Sequence, residues 1–208
     1  MLENLAKYKN LIRIVPNATY FYRTQPSKYD AHPINYKTDS YTRYADPEQK
    51  IGVFYLGFSE EVAIAESFQS GQGVDTQAVP EVRLMASSLY RYETLRPLRA
   101  VDIGVLANRV THHKLRDLVQ AKGQGARGYQ LTRALSYLCM HRLNNIDGLL
   151  YPSAVYSVSG SMLACNLMLF GHRAVQVKAL DYRPVAGAVL SQGETTEELL
   201  ESLGVILV

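Results

Sequence analysis

The chain has 208 residues, 47% hydrophobic and 20% charged, with a net charge of +3 and a pI near 8.8. That is the composition of an ordinary globular chain able to bury a core without covalent staples. Its two cysteines, Cys139 and Cys165, exclude a disulfide framework and a four-cysteine zinc site, and no dense Lys/Arg run marks a nucleic-acid footprint, although the mildly basic balance suits an anionic partner.

The N-terminus, MLENLAKYKN, lacks the apolar core of a signal peptide, and no run reaches the length of a membrane span, so a cytoplasmic, membrane-free protein is expected. Residues 11–15 (LIRIV) and 18–23 (ATYFYR) read as strands. From Thr24 to Lys50 the chain turns polar and carries three prolines, the pattern of a long loop with a functional role. Seven of the 15 tyrosines fall between Tyr20 and Tyr55. Tyrosine suits stacking on a heterocycle, and it equally suits a strand with one wet edge.

Residues 51–57 (IGVFYLG) predict a strand, and Ser59 caps a following helix whose first turn carries Glu60 and Glu61. Val62, Ala65 and Phe68 form its apolar face, and its end is expected near Gly71 and Gly73. Strands are expected at 81–86, 88–92 and 98–103, and a helix at 104–121. The glycines 123–128 interrupt before a second helix at 129–143. Strands follow at 147–151, 162–170 and 173–180; Thr195 and Glu198 read as a capping box, Gly204 closes that helix, and the final VILV suits a strand. Helices and strands mix without a βαβ rhythm, which predicts an α+β fold with antiparallel sheets, and neither a dinucleotide-binding glycine fingerprint nor a phosphate loop is present. No repeat or linker divides residues 1–208, read as a single domain.

Four places could carry chemistry. Arg23 ends its strand where the apolar run stops, a position from which a guanidinium could clamp a pyrophosphate. Arg43-Tyr44 leads into Val53-Phe-Tyr55-Leu, and Glu66 lies beside the apolar face of its helix, where a carboxylate needs a partner. Asp147-Gly-Leu-Leu-Tyr-Pro-Ser153 runs a strand into a proline and then a hydroxyl, and Asn166-Leu-Met-Leu-Phe170 follows. The five histidines show no metal-ligand spacing.

Taken in order, Phe21-Tyr-Arg23, Arg43-Tyr44, Val-Phe-Tyr55-Leu, Ala63-Ile-Ala-Glu66, Asp147-Gly-x-x-Tyr-Pro-Ser153 and Asn166-x-x-Leu-Phe170 resemble the RES domain, the toxin half of toxin–antitoxin pairs. The resemblance covers a core of about 18–180 and leaves 181–208 as a C-terminal extension. It implies an ADP-ribosyltransferase-like core of antiparallel sheets with flanking helices. It also implies an enzyme that consumes NAD⁺ by hydrolysis or phosphorolysis, with inorganic phosphate as co-substrate in the latter and no resident cofactor or metal.

Arg23, Glu66 and Ser153 match the family's Arg, Glu and Ser, expected as the catalytic set. Arg43 and Tyr55 match a second Arg and a Tyr lining the same pocket, and Tyr22 matches a nicotinamide-side residue more loosely. The implied partner is an Xre-type antitoxin, through which nucleic acid would be met only indirectly; a homo-oligomer is compatible with the pattern. Arg43-Tyr44-Ala45-Asp46-Pro47-Glu48 departs from the family at the second Arg, and residues 69–81 read as an insertion. Two rivals stand beside this reading. One is an ADP-ribosyltransferase acting on a macromolecule with the same residues; the other is a nucleic-acid-binding module using the Tyr/Arg/Lys-rich segment 20–55.

Overall fold

Runs of β-branched and aromatic residues become strands largely where the sequence places them. The computed structural model describes residues 8, 10–38, 41–69, 77–110, 125–158 and 160–208. Its strands are β1 (Ile12–Val15), β2 (Tyr20–Pro26), β3 (Val53–Gly57), β4 (Gln77–Val79), β5 (Ser87–Thr94), β6 (Leu98–Asp102), β7 (Gly148–Pro152), β8 (Cys165–Phe170), β9 (Val177–Pro184) and β10 (Val205–Leu207). The helices are α1 (Glu60–Phe68), α2 (Glu81–Met85), α3 (Ile103–Val105, running into a π-turn at Leu106–Val110), α4 (Gly125–Arg142) and α5 (Thr196–Ser202). The fold is α+β, a mixed sheet with flanking helices.

Eight strands form one sheet in the order β1-β6-β7-β8-β3-β2-β5-β9, antiparallel throughout except between β6 and β7. β4 and β10 make a separate parallel pair. The feature that matters for function is the seam between β2 and β3, which share a single register pair, Tyr22↔Gly57. On either side of it the ladders are long: β2 pairs β5 over seven positions and β3 pairs β8 over five. The sheet therefore divides into two leaves that meet at one point. Apolar side chains pack on both leaves, with Phe21, Phe54, Tyr92 and Leu167 in the cluster common to them and Ile64, Phe68, Leu199 and Leu200 under α1 and α5.

The residues between β2 and β3 tie down through tyrosine hydroxyls. Tyr90 and Ser88 donate to the Asp30 carboxylate, Tyr92 donates to the Pro33 carbonyl (2.8 Å), and Tyr36 donates to Gln176 (2.8 Å). Tyr36, Tyr90 and Tyr92 are structural, then, and serve the packed, hydrogen-bonded role rather than a stacking surface.

The structure corrects several sequence expectations. The expected strand 81–86 is the helix α2, because Pro80 opens it and only Leu84 of the apolar residues turns inward, leaving Val82 and Met85 exposed. Residues 162–170 begin with a 3-10 turn, Met162–Ala164, capped by Ser161, before β8 starts. The strand expected at 173–180 runs instead from Val177 to Pro184. α1 stops at Phe68 with Gln69 as its cap, and Gly71 and Gly73 lie outside the described residues. α4 already includes Gly125 and Gly128, and of the helix expected at 104–121 only the part to Val110 is described. The capping box at Thr195 and Glu198 is present, and it carries 181–208 into the core beneath α1 rather than leaving it appended.

Candidate active site

A cavity of about 350 Å³ opens at the seam. Tyr22, Arg23, Arg43, Tyr55 and Glu66 all line it, together with Thr42, Tyr129, Tyr151 and Asn166. Residues separated by more than a hundred positions in the chain thus share one hollow, of a size usual for small-molecule sites.

Arg23 sits one residue past the single β2–β3 pair, where the ladder has opened. Its Nη1 donates to the Tyr55 carbonyl at 2.8 Å, meeting a backbone acceptor on the strand across the open seam. The guanidinium lies over the Phe54 ring at 4.7 Å, and its buried Nε has no hydrogen-bond partner. Burial pushes its pKa down, with only Tyr92, Tyr55 and Tyr151 acting the other way. Among the described residues it makes no ion pair.

Glu66 reaches the cleft because α1 packs across β2 and β3. Ser59 caps the helix by accepting from the Val62 amide (3.2 Å), and its own hydroxyl donates to the Leu163 carbonyl (2.9 Å). Gly57 makes the contact close: a Cβ there would stand 3.0 Å from the Ala63 nitrogen and 3.1 Å from the Ser59 oxygen. One turn further on, Glu66 Oε1 accepts from Ser153 Oγ (2.8 Å) and from Asn166 Nδ2 (3.0 Å).

Ser153 sits beside the main cavity and not among the residues that line it. It is buried and lines an adjoining hollow of about 310 Å³, which shares Tyr151 with the main cavity. Its oxygen accepts from the Val155 and Tyr156 amides (3.2 and 3.1 Å), so its single proton goes to Glu66. A hydroxyl so committed holds the carboxylate.

Arg43 is buried and lines the cleft. Burial works against its charge, and Tyr44, Tyr151 and Glu66 outweigh that and raise its pKa. The Tyr55 hydroxyl, with its pKa pushed up to about 12 by burial, hydrogen-bonds Thr42 (2.7 Å) and accepts from the Tyr44 amide (3.3 Å). It therefore latches the segment carrying Arg43. Tyr44 is buried against Tyr151 (ring centroids 4.6 Å apart), and its carbonyl accepts from Ser136 on α4 (2.7 Å).

The unusual Asp46-Pro47-Glu48 turn has a physical reason. Buried Asp46 accepts from the amides of Glu48, Lys50 and Ile51 and contacts His141 at 3.2 Å, closing the turn behind Arg43. Asp147 is likewise architectural: Arg96 grips it with two hydrogen bonds (2.6 and 3.1 Å) and the Arg99 amide adds a third (2.8 Å).

Asn166, Tyr151, Thr42 and Tyr129 were given no site role by sequence reasoning. Asn166 and Tyr151 sit inside quoted motifs, but their facing positions follow only from strand register. Among the described residues no group of three or more His, Cys, Asp or Glu could hold a metal ion, and no helix is long and apolar enough to cross a membrane.

The family model for the RES domain matches residues 20–186. A chain in the crystal structure of the M. tuberculosis MbcT–MbcA toxin–antitoxin complex is similar in fold, with a TM-score of 0.55 and 17% identity over 92% of this chain and 91% of that one. No curated protein sequence matches.

Proposed function

The chain belongs to the RES domain family, and from that premise and its cleft we propose that it is a toxin that breaks the bond between nicotinamide and ribose in NAD⁺. One observation carries the reading: the same cavity holds a buried guanidinium without an anionic partner among the described residues and a carboxylate gripped by two donors. A charge buried without a counter-ion is costly unless a ligand supplies one. A pyrophosphate would do so at Arg23, and Arg43 would add a second cation on the same wall.

The glycosidic bond breaks with its electron pair moving onto the pyridinium nitrogen, so nicotinamide leaves neutral and needs no general acid. Positive charge grows at the anomeric carbon, as in glycoside hydrolysis, and Glu66 stabilises it electrostatically. An oxygen of water or of inorganic phosphate then bonds to that carbon, and the water route releases a proton. Arg23 and Arg43 fix the phosphates, which converts encounter into orientation. Tyr22 and Tyr55 supply ring surface for the nicotinamide riboside. Ser153 belongs to the catalytic set through Glu66.

The complex containing MbcT and MbcA supports an antitoxin partner here, and the resemblance in sequence favours one of the Xre type. The deciding experiment measures nicotinamide release from NAD⁺ by purified protein, with and without phosphate, and weighs the products. Soluble ADP-ribose or its 1″-phosphate is expected, and Glu66→Gln should lower kcat by about a hundredfold or more while keeping the fold. Label appearing on a macromolecule would instead make the chain a transferase. Undiminished turnover by Glu66→Gln would remove that residue from the chemistry.

A further inference from the structure

We propose that Asn166 is a positioning residue whose side-chain amide holds the Glu66 carboxylate aimed into the cleft. The reaction it serves is the NAD⁺ cleavage proposed above; the geometry stands apart from that reading.

Asn166 is buried on β8, between two strands that pair with it on either side: its register partners are Tyr151 on β7 and Gly57 on β3. Directly opposed residues project from the same face of a sheet. Tyr151, Asn166 and Gly57 therefore make one row across three strands, and all three line the cavity. The row ends at the residue without a side chain. There α1 descends until Ala63 would be 3.0 Å from an added Cβ, and one turn later Glu66 stands over Asn166.

The 3.0 Å contact joins Asn166 Nδ2 to Oε1, the oxygen that Ser153 also serves. An amide nitrogen only donates, and a carboxylate oxygen accepts, so the contact fixes the direction of the side chain. Ser153 follows Pro152 outside the strand, held by two loop amides, whereas Asn166 is fixed by ladders on both sides. Of the two donors, Asn166 belongs to the more rigid element and sets where the carboxylate points.

Asn166→Asp keeps the shape and replaces the donor with a second acid; Asn166→Ala removes the donor. Both should lower kcat by about ten- to a hundredfold with KM for NAD⁺ within about twofold. Wild-type kcat in either folded variant would overturn the proposal, as would failure of both variants to fold. If wild-type protein releases no nicotinamide, the NAD⁺ reading fails by itself. Crystal structures of wild type and Asn166→Ala then decide this one: a Glu66 carboxylate turned away from its place in the variant supports it, and an unmoved carboxylate overturns it.

Discussion

Replacing Arg23 by methionine separates what the guanidinium does for a substrate from what it does for the fold. Within the protein the group gives up hydration, leaves Nε unmatched, and receives one hydrogen bond and the face of Phe54 in return. An unmatched buried polar group costs about 1–3 kcal/mol, and the buried charge adds several more. The substitution forfeits a cation–π contact of about 2 kcal/mol and strands the Tyr55 carbonyl at about 1–3 kcal/mol. Methionine fills much of the same apolar volume. The balance favours the variant by about 1 kcal/mol, which for a chain of this size is about 2–4 °C in Tm. Thermal unfolding of both proteins, each with and without NAD⁺, reads the two effects together. Arg23→Met should melt slightly higher than wild type by itself and lose the NAD⁺-dependent rise. A variant that melts well below wild type and still responds to NAD⁺ would refute the reasoning, since the guanidinium would then be a structural strut.

Three other outcomes follow from the geometry. Gly148→Ala drives a Cβ to 2.0 Å from the Met168 carbonyl across the β7–β8 pair, so it should cost about 3 kcal/mol or more; urea denaturation checks this. At Asp147 burial alone would raise the pKa, but the hydrogen bonds from Arg96 and the Arg99 amide outweigh it and hold the carboxyl below its ordinary 3.8. Its stabilisation is complete above that value and is lost as pH falls through the lower folded one, so the stability gap between wild type and Asp147→Asn should narrow as pH falls from about 5 through 3 and below. Tyr55→Phe removes the latch on Thr42 and Tyr44, and steady-state kinetics should show KM for NAD⁺ up about tenfold with kcat nearly unchanged.

Much of this was legible in the sequence because the informative residues sit within regular elements. Arg23 follows a run of β-formers, although β2 continues past it to Pro26; Glu66 follows a capped helix start, and both line the cavity. Ser153 was found for its position, yet its work could not be read: the two amides that leave its proton only Glu66 come from the turn after it. Asn166 stayed without a role because cross-strand facing is a property of register, which no local pattern of β8 encodes. Residues 81–86 misled because Val82 and Leu84 alternate as a strand would, while Pro80 and the exposed Val82 answer to a helical turn.

The single contact between β2 and β3 has a consequence for how such a cleft can diverge. Residues 27–38 form a strap fastened to one leaf through Asp30 and Pro33 and to the other through the Lys37↔Val53 bridge. Since no continuous ladder crosses the seam, the strap is a second tie between the leaves. Lengthening or shortening it would re-gauge which molecules enter while leaving both leaves, and the carboxylate anchored on one of them, untouched.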